Sequence, residues 1–238
     1  MKNLFQKLTI ILLFAVVSVM ATSSTYIWIP GADFQPFLDP HFGWDTYINT
    51  DTAGITVDGG LTIGVLPFKK IQMEVGIDYR DNSGDHHYPF LFNAKLGLPE
   101  GAFFKNQPAI EAGMYDVGFI KNVNSYNIAY GLLAKNIWKL GRFTLGAYRG
   151  GVGYDSRNLF SADSIIWDKG IIAGWDRMVG DKLGLCVDYQ SGMSSYGALS
   201  FGFSWYFCPT VSVLCAYDIM NNIAYKQTVT VQLDINIK

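Results

Sequence analysis

The feature of this sequence that most limits its fold is the strict alternation of polar and apolar residues near its end, at positions 228–237. Even-numbered positions from Thr228 to Asn236 are polar, and odd-numbered positions from Val229 to Ile237 are apolar. A period of two is typical of a β-strand with one dry face and one wet face. The pattern recurs about a dozen times. The sequence therefore predicts an all-β chain whose strands separate an apolar environment from a polar one.

The first 21 residues have the organisation of an export signal. Lys2 and Lys7 make a positive start, an apolar stretch covers 8–19, and Ala21 offers a small residue at a plausible cleavage point. The apolar stretch is shorter than the about 20 residues that a membrane-spanning helix needs. We predict a signal peptide at 1–21, and an uncleaved anchor helix is the alternative.

Composition agrees with an exported β-protein. Aromatic residues make up 15% of the chain and charged residues 16%, whereas soluble domains usually carry about 25% charged residues. A soluble sandwich of this length would carry more surface charge. The formal net charge of −2 argues against a nucleic-acid partner. The three cysteines do not predict a disulfide framework.

We predict about twelve strands, within a range of roughly ten to fourteen. They cover 42–50, 54–66, 70–80, 89–98, 107–119, 126–136, 142–152, 165–177, 181–190, 195–207, 210–220 and 226–237. Alternate connections are short, as at 66–69, 137–141, 178–180 and 208–209. The connections between them are mostly longer and more polar, as at 81–88, 121–125, 153–164 and 221–225. An even strand number places both termini on the side of the short turns.

Residues 22–41 do not share the alternation. Tyr26 to Ile29 is strand-like, but Pro30, Pro36 and Pro40 interrupt the chain after it, and proline removes a ladder hydrogen bond from a central strand. Three interpretations fit these residues: a periplasmic tail, a short extra strand, or a partial plug of the barrel. We favour the tail, so the predicted organisation is an N-terminal segment at 22–41 and a barrel at 42–238.

The signal peptide, the alternating segments, the rhythm of short turns and long loops, and the terminal Thr-Val-Thr-Val-Gln-Leu-Asp-Ile-Asn-Ile resemble bacterial outer-membrane β-barrel proteins. The resemblance covers the whole mature chain. It implies a transmembrane antiparallel barrel in the outer membrane, with periplasmic termini, lipid around the wall and a barrel-insertion machinery as partner. The chain departs from that pattern because it ends in Ile237-Lys238 rather than in an aromatic residue. A soluble, lipocalin-like barrel is the alternative.

The wet face of the predicted strands is rich in acids. Alternation places these charged residues toward the lumen: Asp45, Asp58, Glu74, Asp78, Glu111, Asp168, Asp176, Asp188, Asp218, Asp234, Lys70, Arg80, Lys95, Lys135, Arg142 and Lys182. The candidate residues for lining the lumen and setting its selectivity are Asp45, Asp58, Glu74, Asp78, Arg80, Asp188 and Asp218. One interpretation is an acidic ring near the extracellular mouth that favours cations. The other is a polar wall whose acids pair with Arg and Lys across strands. Apolar Leu133, Ile172 and Leu214 fall on the same face.

These features favour a passive channel for small polar or cationic solutes, with a pore of about 10 Å at most. The alternative is a non-conducting barrel with a structural, adhesive or receptor role through its loops. A hydrolase has less support, because His41, His86 and His87 are the three histidines of the chain and no nucleophile and base stand out. We predict no catalytic residues, no cofactor and no metal site; His86 and His87 fit a solvated loop better than a metal site.

Overall fold

The protein is described by a computed structural model that covers residues 25–51, 54–82 and 88–237. The predicted signal peptide at 1–21 and the loop histidines His86 and His87 lie outside the described residues. Within the described ranges, no helix is long and apolar enough to cross a membrane.

Twelve strands in the described residues form one closed antiparallel barrel, which confirms the predicted fold class. The barrel strands are β1 (Pro40–Asn49), β2 (Ile55–Gly64), β3 (Gln72–Asn82), β4 (Phe90–Leu98), β5 (Ala109–Val117), β6 (Ile128–Asn136), β7 (Arg142–Arg149), β10 (Lys169–Val179), β11 (Leu183–Gln190), β12 (Ala198–Cys208), β13 (Val211–Met220) and β14 (Thr228–Asn236). A short hairpin of β8 (Ser161–Ala162) and β9 (Ile165–Ile166) lies between β7 and β10. Two 3₁₀-helices cover Trp138–Leu140 and Arg157–Phe160.

The barrel closes where its first and last strands meet. β1 pairs with β14 in antiparallel register from His41 opposite Asn236 to Asn49 opposite Thr228. All remaining pairs join barrel strands that follow one another in the chain, and β7 pairs with β10 because the short β8–β9 hairpin lies outside the barrel. Closure leaves no free strand edge, so the backbone groups of the wall are paired within the protein, as a bilayer requires.

The outer surface of the barrel is apolar. Along β12, Phe201, Phe203 and Trp205 point outward and are exposed, whereas Ser200 on the opposite face is buried. Similar outward rows occur on the other strands. In water, this band would be an unusually large exposed apolar surface, and a lipid bilayer accounts for it. The soluble-barrel alternative is wrong, because it requires the apolar face to point inward.

The two ends of the barrel differ. One end, here the turn end, carries the connections at 65–71, 99–108, 137–141, 180–182 and 209–210. The other, the loop end, carries those at 50–54, 83–89, 118–127, 150–168, 191–197 and 221–227. The start of β1 and the end of β14 both lie at the turn end. The residues that precede β1 and those that follow β14 in the sequence therefore join the barrel at the same end.

A β-bulge in β5 breaks the simple alternation. The register with β4 shifts between Phe92 and Ala94, and Asp116 has a φ of +52°. As a result, Tyr115 and Asp116 both reach groups inside the barrel: Tyr115 donates to Gln190 and Asp116 binds Arg80. Bulges turn a side chain in this way because the extra residue is left unpaired.

The predicted lumen positions of β6 are wrong by one residue. Leu132 lies directly opposite the buried Glu111 of β5 and is 3% exposed, whereas Leu133 is 52% exposed on the outer face. Cross-strand partners share a face, so the residues at even positions in β6 point inward, and Lys135 shares the outward parity of Leu133. Ile172 and Leu214 do face the lumen and are buried.

The facing of β12 can be tested with one charge at two neighbouring positions. Arginine at Phe203, which is 47% exposed on the outer face near the middle of the strand, should cost about 2–4 kcal/mol of folding free energy in a bilayer. Arginine at Ser204, which points inward, should cost clearly less. Urea titration of each variant refolded into lipid vesicles measures both values. Equal losses at the two positions would contradict the assigned faces.

Candidate functional site

Residues 25–39 are here called the internal segment, and residues 26–35 of this segment lie inside the barrel. Ile27 and Ile29 are 1% and 0% exposed. The segment begins with a tight turn in which the Tyr26 amide donates to the Ile29 carbonyl at 2.8 Å. It leaves at the turn end, where the Leu38 amide donates to the Gly64 carbonyl at 2.9 Å. The lumen is therefore occupied by the chain itself.

Asp188 of β11 binds the tip of the internal segment. One oxygen of its carboxylate, Oδ2, accepts hydrogen bonds from the backbone amides of Ile27, Trp28 and Ile29 at 2.9, 2.7 and 3.2 Å. Successive amides of a turn form such a cradle for an anion, and bonds to a charged acceptor are stronger than neutral ones. From β14, Gln232 Nε2 donates to the Ile27 carbonyl at 2.8 Å. Asp188, predicted to line a mouth, thus holds a backbone turn.

Charged side chains of three strands hold the rest of the internal segment. Lys95 Nζ donates to the Gly31 carbonyl at 3.0 Å and also to the Asp33 carbonyl. Arg142 pairs with the Asp33 carboxylate at 2.7 Å. The Glu74 carboxylate accepts from the backbone amide of Gln35 at 2.7 Å. Each of these wall charges is compensated by the segment, so the segment and the wall are electrostatically matched.

Apolar packing accompanies these polar contacts. Tyr26, Ile27 and Ile29 belong to one buried cluster with lumen-facing residues of the wall, which include Leu132, Ile172, Cys186, Leu214 and Ala216. Burying an isoleucine contributes about 1.5–3 kcal/mol. A porin lumen is usually polar, so these apolar wall residues are explained by the segment that covers them.

Three loops narrow one side of the loop end. Their aromatic rings pack together: Tyr126 lies 5.2 Å from Tyr196, and Phe160 lies 5.4 Å from Tyr196, between ring centroids. Ser125 and Ser156 hydroxyl oxygens are 2.6 Å apart in the same buried region. The loops come after β5, β7 and β11, so they cover the lumen on that side.

The space that remains is a chamber of about 510 Å³ along β14 and β1–β5. It extends from Asn49 and Lys226 at the loop end to Glu74 and Lys95 beside the internal segment. Its charged lining comprises Asp45, Asp58, Glu74, Asp78, Asp116 and Asp234 against Arg80, Lys95 and Lys226, with His41. Carboxylates outnumber the permanent positive charges two to one, so the chamber is acidic.

Arg80 is the centre of the polar wall in the chamber. Its guanidinium makes two parallel bonds to the Asp116 carboxylate, at 2.7 and 2.8 Å, and a third to Asp58 at 2.7 Å. The Tyr196 hydroxyl also donates to Asp116. This arrangement links β2, β3 and β5 to a loop. Sequence reasoning missed Asp116, because alternation counts it as outward and nothing in the local sequence indicates the bulge.

The seven residues predicted for lumen selectivity divide into those that line the chamber and those that do not. Asp45, Asp58, Glu74, Asp78 and Arg80 line the chamber. Asp188 and Asp218 do not; they are 1% and 0% exposed. Asp218 accepts from the hydroxyls of Thr228 and Thr230 in the neighbouring strand. The structure therefore does not bring the seven residues together as one ring.

Two acids of the chamber have only neutral partners in the described part of the chain. Asp45 accepts a hydrogen bond from the Tyr47 hydroxyl at 3.3 Å, and Asp78 accepts one from the Asn93 side chain. The positive charges, by contrast, have acidic partners. Lys226 pairs with Asp51 at 2.9 Å at the rim, and its hydrogen bond lowers the pKa of Asp51.

The histidine of the chamber contacts an amide and a carboxylate in the described part of the chain. His41 contacts Asn236 at 2.9 Å and Asp234 at 3.3 Å. The Ser212 hydroxyl donates to Asp234 rather than to His41, so this cluster does not pair a serine with a histidine base. Across residues 25–51, 54–81 and 88–237, no group of His, Cys, Asp and Glu side chains has the arrangement of a metal site.

Comparisons with known proteins agree on the fold. No protein-family model matches the sequence, and no curated protein matches it. The structure is similar to the NanC porin, with a TM-score of 0.50 and 11% identity over 84% of this chain and 99% of that one. It also matches an outer membrane channel of Pseudomonas putida F1 (TM-score 0.46, 11% identity, 88% and 100% coverage). A third match is outer membrane phospholipase A of Escherichia coli, with a TM-score of 0.47 and 12% identity over 85% of this chain and 98% of that one. The chain thus has the fold of outer-membrane β-barrels, which agrees with an outer-membrane location.

The charge network around Arg80 should matter for stability. Replacing Arg80 with Met leaves Asp58 and Asp116 without a counter-charge inside the barrel, and we expect a loss of about 3 kcal/mol in the free energy of unfolding. Arg157→Met is the matched control, because the Arg157–Asp155 pair is largely exposed and should contribute less than about 1 kcal/mol. Denaturant titration of both variants in lipid vesicles measures the two losses in the free energy of unfolding. Similar losses would show that Arg80 is not structurally central.

Proposed function

We propose that this protein is an outer-membrane channel for small polar solutes and that it prefers cations. In this proposal the turn end faces the periplasm and solutes reach the chamber from the loop end. The observation that carries the proposal is the acidic chamber, in which six carboxylates face three lysine or arginine side chains.

The excess charge is concentrated on few residues. Arg80 is balanced by Asp58 and Asp116, and Lys95 lies 3.7 Å from Glu74. Among the described residues, Asp45 and Asp78 accept hydrogen bonds only from neutral groups. Asp234, the sixth acid, contacts His41 and the Ser212 hydroxyl and pairs with no lysine or arginine there. Carboxylates in a narrow, low-dielectric space raise the local concentration of cations. Salt screens this field over about 8 Å at physiological ionic strength.

A second candidate function is a non-conducting barrel that acts through its loops. The observation in its favour is the internal segment, which fills much of the lumen beside the chamber. In that case the chamber would be a dead-end pocket. The two functions differ in whether current flows through the purified protein.

Current measurements across a salt gradient test the channel and its selectivity. Single channels of the refolded protein should show a reversal potential on the cation-selective side, more pronounced at low salt. The double substitution Asp45→Asn and Asp78→Asn removes two charges with little change in volume, and should move the reversal potential toward zero.

Asp181→Asn is the control, because Asp181 lies exposed in the turn between β10 and β11 and does not line the chamber. It should leave the reversal potential unchanged. Anion preference in the parent, or the same reversal potential in the double variant, would contradict the role of the chamber acids. The absence of current in the parent and in a variant that lacks residues 25–39 would favour the non-conducting alternative.

A further inference from the structure

We infer that the internal segment is a releasable gate that occupies the lumen of the barrel, with Asp188 as the contact that holds it in place. The inference rests on the proposed function, since a gate has meaning only if the barrel conducts. It adds a regulatory element to that channel: the closed state is built into the chain, and opening is the departure of residues 25–39 from the lumen.

The segment is attached in a way that permits release. Its contacts with the wall are chiefly made by side chains, through Asp188, Lys95, Arg142 and Glu74. At the tip, Trp28 Nε1 also donates to the Tyr196 carbonyl of the loop after β11 at 2.8 Å. A single ladder-like contact, Phe37 opposite Gly64, joins it to β2. The seam between β1 and β14 begins only after the segment, at His41. The segment can therefore leave without breaking any strand pairing of the barrel.

The connection between the segment and β1 is suited to a hinge. Pro36 and Pro40 bracket it and limit backbone hydrogen bonding there. Between them, Leu38 has a φ of +61° and is 61% exposed. A non-glycine residue with positive φ is uncommon, and its strain is relieved when the connection changes conformation. Motion at 36–39 would carry the tip out through the turn end.

The wall has a packing site for the segment at Gly174 and Asp188, here called the seat. Gly174 of β10 lies directly opposite Asp188. A Cβ atom added at Gly174 would lie 3.2 Å from the ring of Tyr26 and 3.3 Å from Ile29 Cδ1. The segment packs at this position because the wall lacks a side chain there. A bulky residue at 174 would compete with the segment for the same space without changing any charge.

Asp188 supplies the polar half of the seat. It is 1% exposed, and all three of its hydrogen bonds go to the segment. Without the segment, a carboxylate in this position needs water in place of three amides. In the closed state, the same amides would lose their acceptor if Asp188 were truncated. Oδ2 and the three amides are thus satisfied together, whereas Oδ1 has no hydrogen-bond partner among the described residues. All the hydrogen bonds of this carboxylate therefore serve to hold the segment.

Two substitutions release the gate by different physical means, and each has a matched control. Asp188→Ala removes the acceptor, while Asp218→Ala removes a buried carboxylate that contacts Thr228 and Thr230 instead of the segment. Gly174→Leu fills the seat, while Gly184→Leu adds the same side chain to the lumen where the nearest atoms are Met178 Sδ and Tyr206 Cε2, at 3.4 Å. Heat-modifiability on gels establishes that each variant forms a barrel.

Release is measured in two independent ways. The first is single-channel current. The second is labelling of Ala32→Cys, a position 5% exposed within the segment, by a membrane-impermeant maleimide in a chain whose three native cysteines are replaced by alanine. Labelling depends on the segment leaving its seat and not on conduction. Both measurements use the full-length chain in a bilayer.

We expect Asp188→Ala to raise the open fraction and the labelling rate about tenfold or more, the change expected for loss of at least one charge-assisted hydrogen bond. Gly174→Leu should raise both quantities as well, because its side chain takes the space of Tyr26 and Ile29. The two controls should behave like the parent. Faster labelling without current would reject the channel function rather than the hold of Asp188 on the segment. Unchanged labelling and current in both releasing variants, or equal effects in the controls, would overturn the gate.

Discussion

The hydrogen-bonded seam between β1 and β14 is the interaction on which the rest of the structure depends. Without it, two strand edges would lie unpaired in hydrocarbon, where each unsatisfied backbone group costs several kcal/mol. With it, the wall has an apolar outside and an enclosed inside. The seam also decides where the N-terminal residues can lie: β1 starts at the turn end, so the internal segment enters the lumen there.

Enclosure makes the polar groups of the lumen depend on one another. Arg80 is stabilised because two carboxylates surround it, and Asp188 because three backbone amides converge on it. Buried charges without such partners are costly. Asp45 and Asp78, which accept hydrogen bonds only from neutral groups among the described residues, line the same chamber as Arg80, and this chamber reaches the loop end. Paired charges thus build the wall, and the residual charge lies where solutes can reach it.

Strand positions could be predicted from this sequence because lipid outside and polar groups inside impose a period of two on nearly every strand. Side-chain directions were harder to predict where a bulge intervenes: the positive φ of Asp116 turns it inward beside Tyr115, and no residue type in that stretch requires it. Ile172 and Leu214 looked like irregularities of a polar face. They belong to the same buried cluster as Tyr26, Ile27 and Ile29 of the internal segment. The apolar patch on the lumen face, taken together with the apolar stretch from Tyr26 to Ile29, was the sequence feature that could have predicted a segment inside the barrel.

The short connection at 36–39 makes the internal segment a tethered ligand of its own barrel. A short flexible tether holds the effective concentration of such a ligand in the mM range. Contacts that would be too weak to bind a free peptide can then keep the lumen filled nearly all the time. Opening becomes a first-order event that dilution of the protein does not change. A soluble copy of residues 25–39 would have to approach mM concentrations to take the place of the attached one.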